Sequence, residues 1–210
     1  PPRSRTPPPL APPGTAPAGE QLEESLHFRI LDAWIKAGFR ALTKGGHQAI
    51  RAEALARDLK ASKGSFYWHF GDVATLQAQM LEQWKAEASE ASIAAVESRG
   101  GSGADKLRFL VEIVTGDANE PYGGLLVEAA IRDWARYNEL AAAMVNEVNL
   151  LRIEYLETLF RECGADPTVG RTNSIILYSA LIGMEALAHA GLADLRKDLR
   201  SLLETLLASA

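Results

Sequence analysis

The chain has a single cysteine, Cys163, among its 210 residues, which excludes an intrachain disulfide and any paired-thiol metal cage. Its four histidines, at 27, 47, 69 and 189, show no His-x-x-x-His spacing, and Gly-Ser-Gly at 101–103 lacks the Gly-Lys-Ser/Thr ending of a phosphate loop. Metal-assisted and phosphate-transfer chemistry have no residues to rest on. The chain is expected to be no enzyme, with no metal and no cofactor. No apolar run reaches the roughly 18–20 residues that span a bilayer, and no basic-flanked apolar leader is recognisable. A cytoplasmic protein without membrane contact is expected.

Proline is scarce wherever the sequence has apolar periodicity. Eight of the ten prolines fall within residues 1–19, a stretch with no spacing from which to build a core, and a disordered tail is predicted there. Alternating β-branched runs are also scarce, whereas Leu and Ala recur at helical spacing. The fold class is therefore all-α. Helices are predicted near 21–44, 51–59, 72–98, 104–115, 123–137, 139–163, 168–190 and 194–208, besides a short one after Ser62. Breaks fall at Gly45-Gly46, Gly100 to Gly103, Gly116 to Pro121, Gly164 to Pro167 and Gly191. Leu140, Met144, Val148, Leu151, Tyr155 and Leu159 make one apolar face. Arg152 falls with Glu147, Glu154, Glu157 and Arg161 on the other, where solvent or an interhelix ion pair would be selected.

What the sequence has in excess is concentrated at residues 62–70, Ser-Lys-Gly-Ser-Phe-Tyr-Trp-His-Phe. In a helix, Phe66 and Phe70 stand at i and i+4 and face inward together, leaving Lys63, Tyr67 and Trp68 to project outward. Tyr, Trp and His each join a flat apolar body to a hydrogen-bonding tip, a combination that packs on sugar and donates to phosphate. Ser62 reads as the N-cap, and Leu55, Ala56 and Leu59 supply a preceding amphipathic helix. Two short helices across a tight turn make a helix-turn-helix. Gly64 permits close backbone approach. Residues 27–71 carry eight Lys/Arg against three acids, whereas 72–210 carry 12 against 21, so a polyanion is attracted to one end and repelled by the other.

On Arg29 to Ala33, Leu55-Ala56, Ser62 to Phe70 and Leu76, the stretch from about Leu26 to Leu76 resembles the DNA-binding domain of the tetracycline-repressor (TetR) family of transcriptional regulators. The resemblance implies three divisions: the tail at 1–19, a helix-turn-helix domain at 20–71, and a helical ligand-binding and dimerisation domain at 72–210. It implies that Lys63, Gly64 and Ser65, behind the Ser62 cap, enter the major groove of operator DNA, while Tyr67, Trp68 and His69 hold the backbone. Arg51 is assigned a phosphate contact. Lys60 stands where the family pattern has a turn glycine, so it must adopt a left-handed conformation or shift the turn. The pattern also has a phosphate-clamping lysine at the start of the fourth helix. Here Gly71-Asp72 offers an acid, read as an N-cap, and Lys60 is the candidate replacement cation.

For the second domain the family implies a homodimer on a palindrome, repression, and release by an unidentified small molecule. The candidate cavity residues are Trp84, Phe109, Tyr122, Trp134, Tyr137, Met144, Tyr155 and Tyr178, with Arg132, Asn146 or Asn149 as polar anchor. Few acids are expected inside. Ile175, Tyr178, Ile182, Gly183 and Ala186, with Leu199 and Leu203 of the last helix, are the expected subunit contact. Glu185 and His189 share one helical face there, as a polar contact of the seam. The alternative is a DNA-bound architectural or protein-interaction factor without a ligand, whose second domain would be packed solid.

Overall fold

The computed structural model describes residues 18–116, 122 and 124–209; the predicted tail, up to residue 17, and most of the break at 116–121 lie outside it. Every regular element among the described residues is helical. The helices are α1 (Ala18–Gly45), α2 (Ala52–Asp58), α3 (Lys63–Phe70), α4 (Val73–Lys85), α5 (Ala91–Arg99), α6 (Gly103–Val114), α7 (Gly124–Trp134), α8 (Glu139–Glu162), α9 (Pro167–His189) and α10 (Leu195–Leu207).

Local chemistry sets the starts. Ser62, Asp72, Ser102, Asn138, Asp166 and Asp194 each accept a hydrogen bond from a backbone amide in the first turn of the helix that follows, satisfying a donor that has no partner within the helix. The helix predicted at 123–137 stops early: α7 ends at Trp134, the Arg136 and Tyr137 amides turn to carbonyls three residues back, and Asn138 then caps α8.

The long helix predicted from 72 to 98 is not α-helical throughout. Ala86–Glu90 forms a π-helical turn between α4 and α5. A π turn inserts a residue into the helical ladder and redirects side chains and carbonyls locally; Ser89, within it, is buried.

Two apolar cores organise the chain. The first joins α1–α4 to α7 and the start of α8, through Trp34, Phe39, Phe66, Leu76, Trp84, Ile131, Trp134 and Met144. The second joins α6, the end of α8, α9 and α10, through Leu107, Leu159, Phe160, Leu177, Leu199 and Leu203. Packing is therefore continuous across residues 71 and 72. One glycine is required by close approach: a Cβ at Gly103 would lie 2.6 Å from the Leu159 carbonyl oxygen, so α6 sits tightly on α8, while Gly38 of α1 lies against the Met80 thioether of α4.

Candidate functional site

Helix α3 separates its rings by face. Phe66 and Phe70 are buried, whereas Trp68 is 75% and Tyr67 44% exposed. At 3.6 residues per turn, Trp68 stands roughly opposite the two phenylalanines and Tyr67 to one side. His69 does not project with them. It lies closer to the buried face, packs 5.2 Å from the His27 ring of α1, and leaves Nδ1 buried without a partner among the described residues. Burial, then the neighbouring His27, pushes its pKa down, so it is a neutral wedge between α1 and α3 near pH 7.

The charged members of the motif are partly occupied. Lys63 pairs with Glu53 of α2, and this hydrogen bond and charge raise the lysine pKa and lower that of the carboxylate. Arg40 pairs with Asp58, and Lys36 with Asp32 at 2.7 Å. All three acids of residues 27–71 are thereby matched. Arg51 and Lys60 are exposed and enter no ion pair among the described residues. Lys60 adopts φ 53°, the left-handed conformation that glycine would take without strain. Asp72 directs its carboxylate to the Thr75 amide at 2.7 Å, which lowers its pKa. Ser62 and Gly64 are exposed, Ser65 half-buried. A Cβ at Gly64 would meet only Ser62 Oγ, at 3.7 Å, so nothing inside the chain requires glycine there.

A second feature lies at the seam between the two cores. A cavity of about 130 Å³ is bounded by the π turn, α5, α6, α7, α8 and α9. Of the aromatic residues expected there, Trp84, Tyr122, Tyr155 and Tyr178 line it. Phe109 instead lies under the Arg99 guanidinium, at 4.2 Å. Trp134 and Met144 are packed into the first core, and Tyr137 is exposed. These four fall on faces turned away from the cavity.

Its polar wall is a buried network of side chains from three helices. Both carboxylate oxygens of Glu128 accept from Arg152, each at 3.1 Å, and Oε1 also from Arg132 at 2.9 Å. Arg132 donates in addition to Asn149 and to the Tyr178 hydroxyl, which itself donates to Asn149 at 2.8 Å. Arg152 continues into the π turn, donating to Ser89 Oγ at 3.0 Å and to the Ala88 carbonyl at 3.2 Å. Burial pushes the Glu128 carboxyl up, but the two guanidiniums outweigh it and hold it below the usual carboxylate range.

Acids are therefore present after all: Glu87, Glu128 and Glu185 line the cavity. Glu185 has no hydrogen-bond or ion-pair partner among the described residues, and burial, reinforced by Glu128, pushes its pKa up to about 7. Of the anchors considered from sequence, Arg132 and Asn149 belong to this network and the exposed Asn146 does not. Glu128 and Arg152 were not singled out as cavity residues. The available signal was their helical position: Arg152 stands four residues after Val148 and four before Leu156, both buried.

No family model matches the chain, and no curated protein matches it. Solved structures do. A transcriptional regulator of the TetR family from Agrobacterium tumefaciens superposes with TM-score 0.71 at 17% identity, over 87% of this chain and 98% of that one. A TetR transcriptional regulator from Legionella pneumophila gives 0.71 at 13%, over 82% and 94%. A protein provisionally described as a transcriptional regulator from Saccharomonospora viridis, in complex with choline, gives 0.72 at 13%, over 86% and 96%. The chain has the TetR-regulator fold.

Within this fold the expected subunit contact divides. Ile175, Gly183 and Ala186 of α9 are exposed, and with Ile176 and Leu187 they make an apolar strip along the helix. Ile182 is half-buried against the second core. Tyr178, Leu199 and Leu203 are buried in the subunit itself, because they lie on the faces that α9 and α10 turn inward; they are not part of the exposed strip.

Proposed function

We propose that the chain is a member of the TetR family, a transcriptional regulator that binds a palindromic operator as a homodimer through α2 and α3. In this reading it represses, and a small molecule in the cavity releases it. The observation that carries the reading is the outward face of α3, where Tyr67 and Trp68 meet solvent beside Lys63, Gly64 and Ser65. Two large rings held side by side in water suit packing against a sugar-phosphate backbone. Arg51 and Lys60 flank that face as cations free to take phosphates, and the exposed strip on α9 offers the surface by which two copies pair.

The cavity favours a ligand-responsive regulator over an interaction factor, whose body would need no void. Choline is held by one protein of the same fold, which supports a small-molecule role. Coupling has a physical route. Arg152 holds two groups of the π turn, and α4 runs from that turn to α3. A molecule that redirects Arg152 would bias the helix carrying the DNA-binding end, provided that its affinity differs between the two arrangements.

Selection of bound duplexes from a random pool tests the reading. The expected product is an inverted repeat with half-sites about one helical turn apart, released by at least one compound in a subsequent screen. Failure to enrich any repeat contradicts sequence-specific binding, and a selected repeat that no cavity-binding compound releases contradicts ligand response.

A further inference from the structure

The cavity's charge and hydrogen-bond balance narrows what it accepts. The one guanidinium among the described lining residues is committed: Nε, Nη1 and Nη2 of Arg152 all donate within the protein, and Arg132 stands behind it, donating to Glu128, Asn149 and Tyr178. An anionic ligand would have to break that network to find a donor. On the acid side, Glu128 is matched by both arginines and Glu87 accepts from Gln83 at 3.0 Å, while Glu185 on α9 is left without a partner among the described residues. Even with Arg132 counted behind the wall, three carboxylates face two guanidiniums among the described residues, so acids exceed cations by one. Much of the remaining wall is apolar, with Ile93, Leu110, Val114 and Leu181 among its residues. A volume near 130 Å³ is close to that of cavities that take up benzene.

We infer that the cavity binds a small organic monocation, with an apolar body of about the bulk of one aromatic ring against the aliphatic wall and its ammonium group at the Glu185 carboxylate. The physical reason is reciprocal neutralisation. An ionised carboxylate with no partner in an apolar site is costly, and an alkylammonium supplies the missing charge and the hydrogen-bond donors at once. Glu87 already accepts from the Gln83 amide, so Glu185 is the lining acid left with neither a donor nor a cation among the described residues. A neutral isostere gains the apolar contacts alone.

This inference rests on reading the cavity as an effector site, so it is tested by binding to the purified protein without DNA. Benzylamine, benzyl alcohol and benzoate share a ring and differ in charge. Calorimetric titration at pH 8 is expected to rank benzylamine at least about tenfold tighter than benzyl alcohol, with benzoate not bound. Near pH 5.5 the amine should lose about tenfold or more, because Glu185, with its pKa near 7, is then protonated. Glu87 from the π turn, Glu128 from α7 with Arg132 paired to it, Arg152 from α8 and the tyrosines at 122, 155 and 178 also border this space, so the pH effect is assigned with Glu185→Gln. That nearly isosteric variant keeps the packing and should bind amine and alcohol alike at both pH values.

Equal affinity of the wild type for amine and alcohol, absence of amine binding at millimolar concentration, or unchanged amine preference in Glu185→Gln would each overturn the inference. So would a Glu185→Gln variant whose only change is weaker self-association, the signature of a seam residue. An amine that binds as described yet leaves duplex affinity unchanged keeps the site and refutes ligand release.

Discussion

Tyr67 and Trp68 of α3 turn their rings to solvent, while Trp84, Tyr122, Tyr155 and Tyr178 line an interior cavity. Charge follows the same division. Around α3 the acids of residues 27–71 are matched at the surface and exposed cations remain; around the cavity two arginines are matched inside and an acid remains. The difference teaches that one residue vocabulary serves two kinds of recognition. An open, cationic, ring-bearing face suits a large polyanion held by many weak, salt-screened contacts. A recessed, acid-bearing cavity suits a small molecule held by one strong contact.

The division is broken most forcefully at Glu128. Glu128→Ala leaves two arginines buried without their anion, and a loss of roughly 3–5 kcal/mol in unfolding free energy is expected by denaturant titration. A loss within the ordinary scatter of surface substitutions would mean that water already solvates the network. Trp68→Ala should do the reverse. Stability should change by less than about 0.5 kcal/mol, while affinity for every duplex falls about tenfold, near 1.4 kcal/mol, because the ring meets backbone and not base. A variant that loses stability and keeps binding would exchange the roles of the two regions.

Lys60→Gly sharpens the picture at the turn. Relief of the left-handed strain at φ 53° should raise stability by about 1 kcal/mol. If Lys60 also holds a phosphate, duplex affinity falls at the same time and the salt dependence weakens by about one phosphate contact. The smallest effect is expected from Glu53→Gln. Removing the carboxylate that pairs with Lys63 frees a cation at the start of α3 and removes a negative charge from the face, so binding should strengthen a few-fold at low salt and the gain should fade as salt rises. Weaker binding would show that Glu53 positions Lys63 for the groove.

Stability should also depend on pH through Glu185, whose pKa is raised to about 7 against an ordinary value of 4.5. Between those values the folded state holds the proton that the unfolded chain has released, so this group's contribution falls as pH rises through the window. Glu185→Gln should therefore raise the melting temperature more at pH 8 than at pH 5. An equal rise at both would place the carboxylate in water.

The α3 face was legible because it lies within nine consecutive residues: helical spacing alone puts Phe66 and Phe70 on one side and Trp68 on the other. The Ser62 and Asp72 caps were legible for the same reason, since a cap acts on an amide two or three residues away. His69 was not, because its position depends on His27, 42 residues earlier, across the α1–α3 contact. The cavity was legible only in part. Tyr178 was read as both cavity and subunit contact, and the buried network that settles its place brings Glu128, Arg152 and Asn149 from two other helices. Periodicity shows a side of one helix and not which neighbour covers it. The π turn had no local signal, since Ala86 to Glu90 have ordinary helix-forming composition, and Arg152, which holds Ser89 and the Ala88 carbonyl, is more than 60 residues away.

The central claim, that the cationic end carrying α3 binds duplex DNA, is tested most directly by the salt dependence of duplex affinity for the wild type and for Arg51→Ala. The account predicts a steep linear fall of log affinity with log salt for the wild type, and a slope shallower by about one in the variant. Duplex affinity that does not vary with salt, or no measurable binding at low salt, would contradict it.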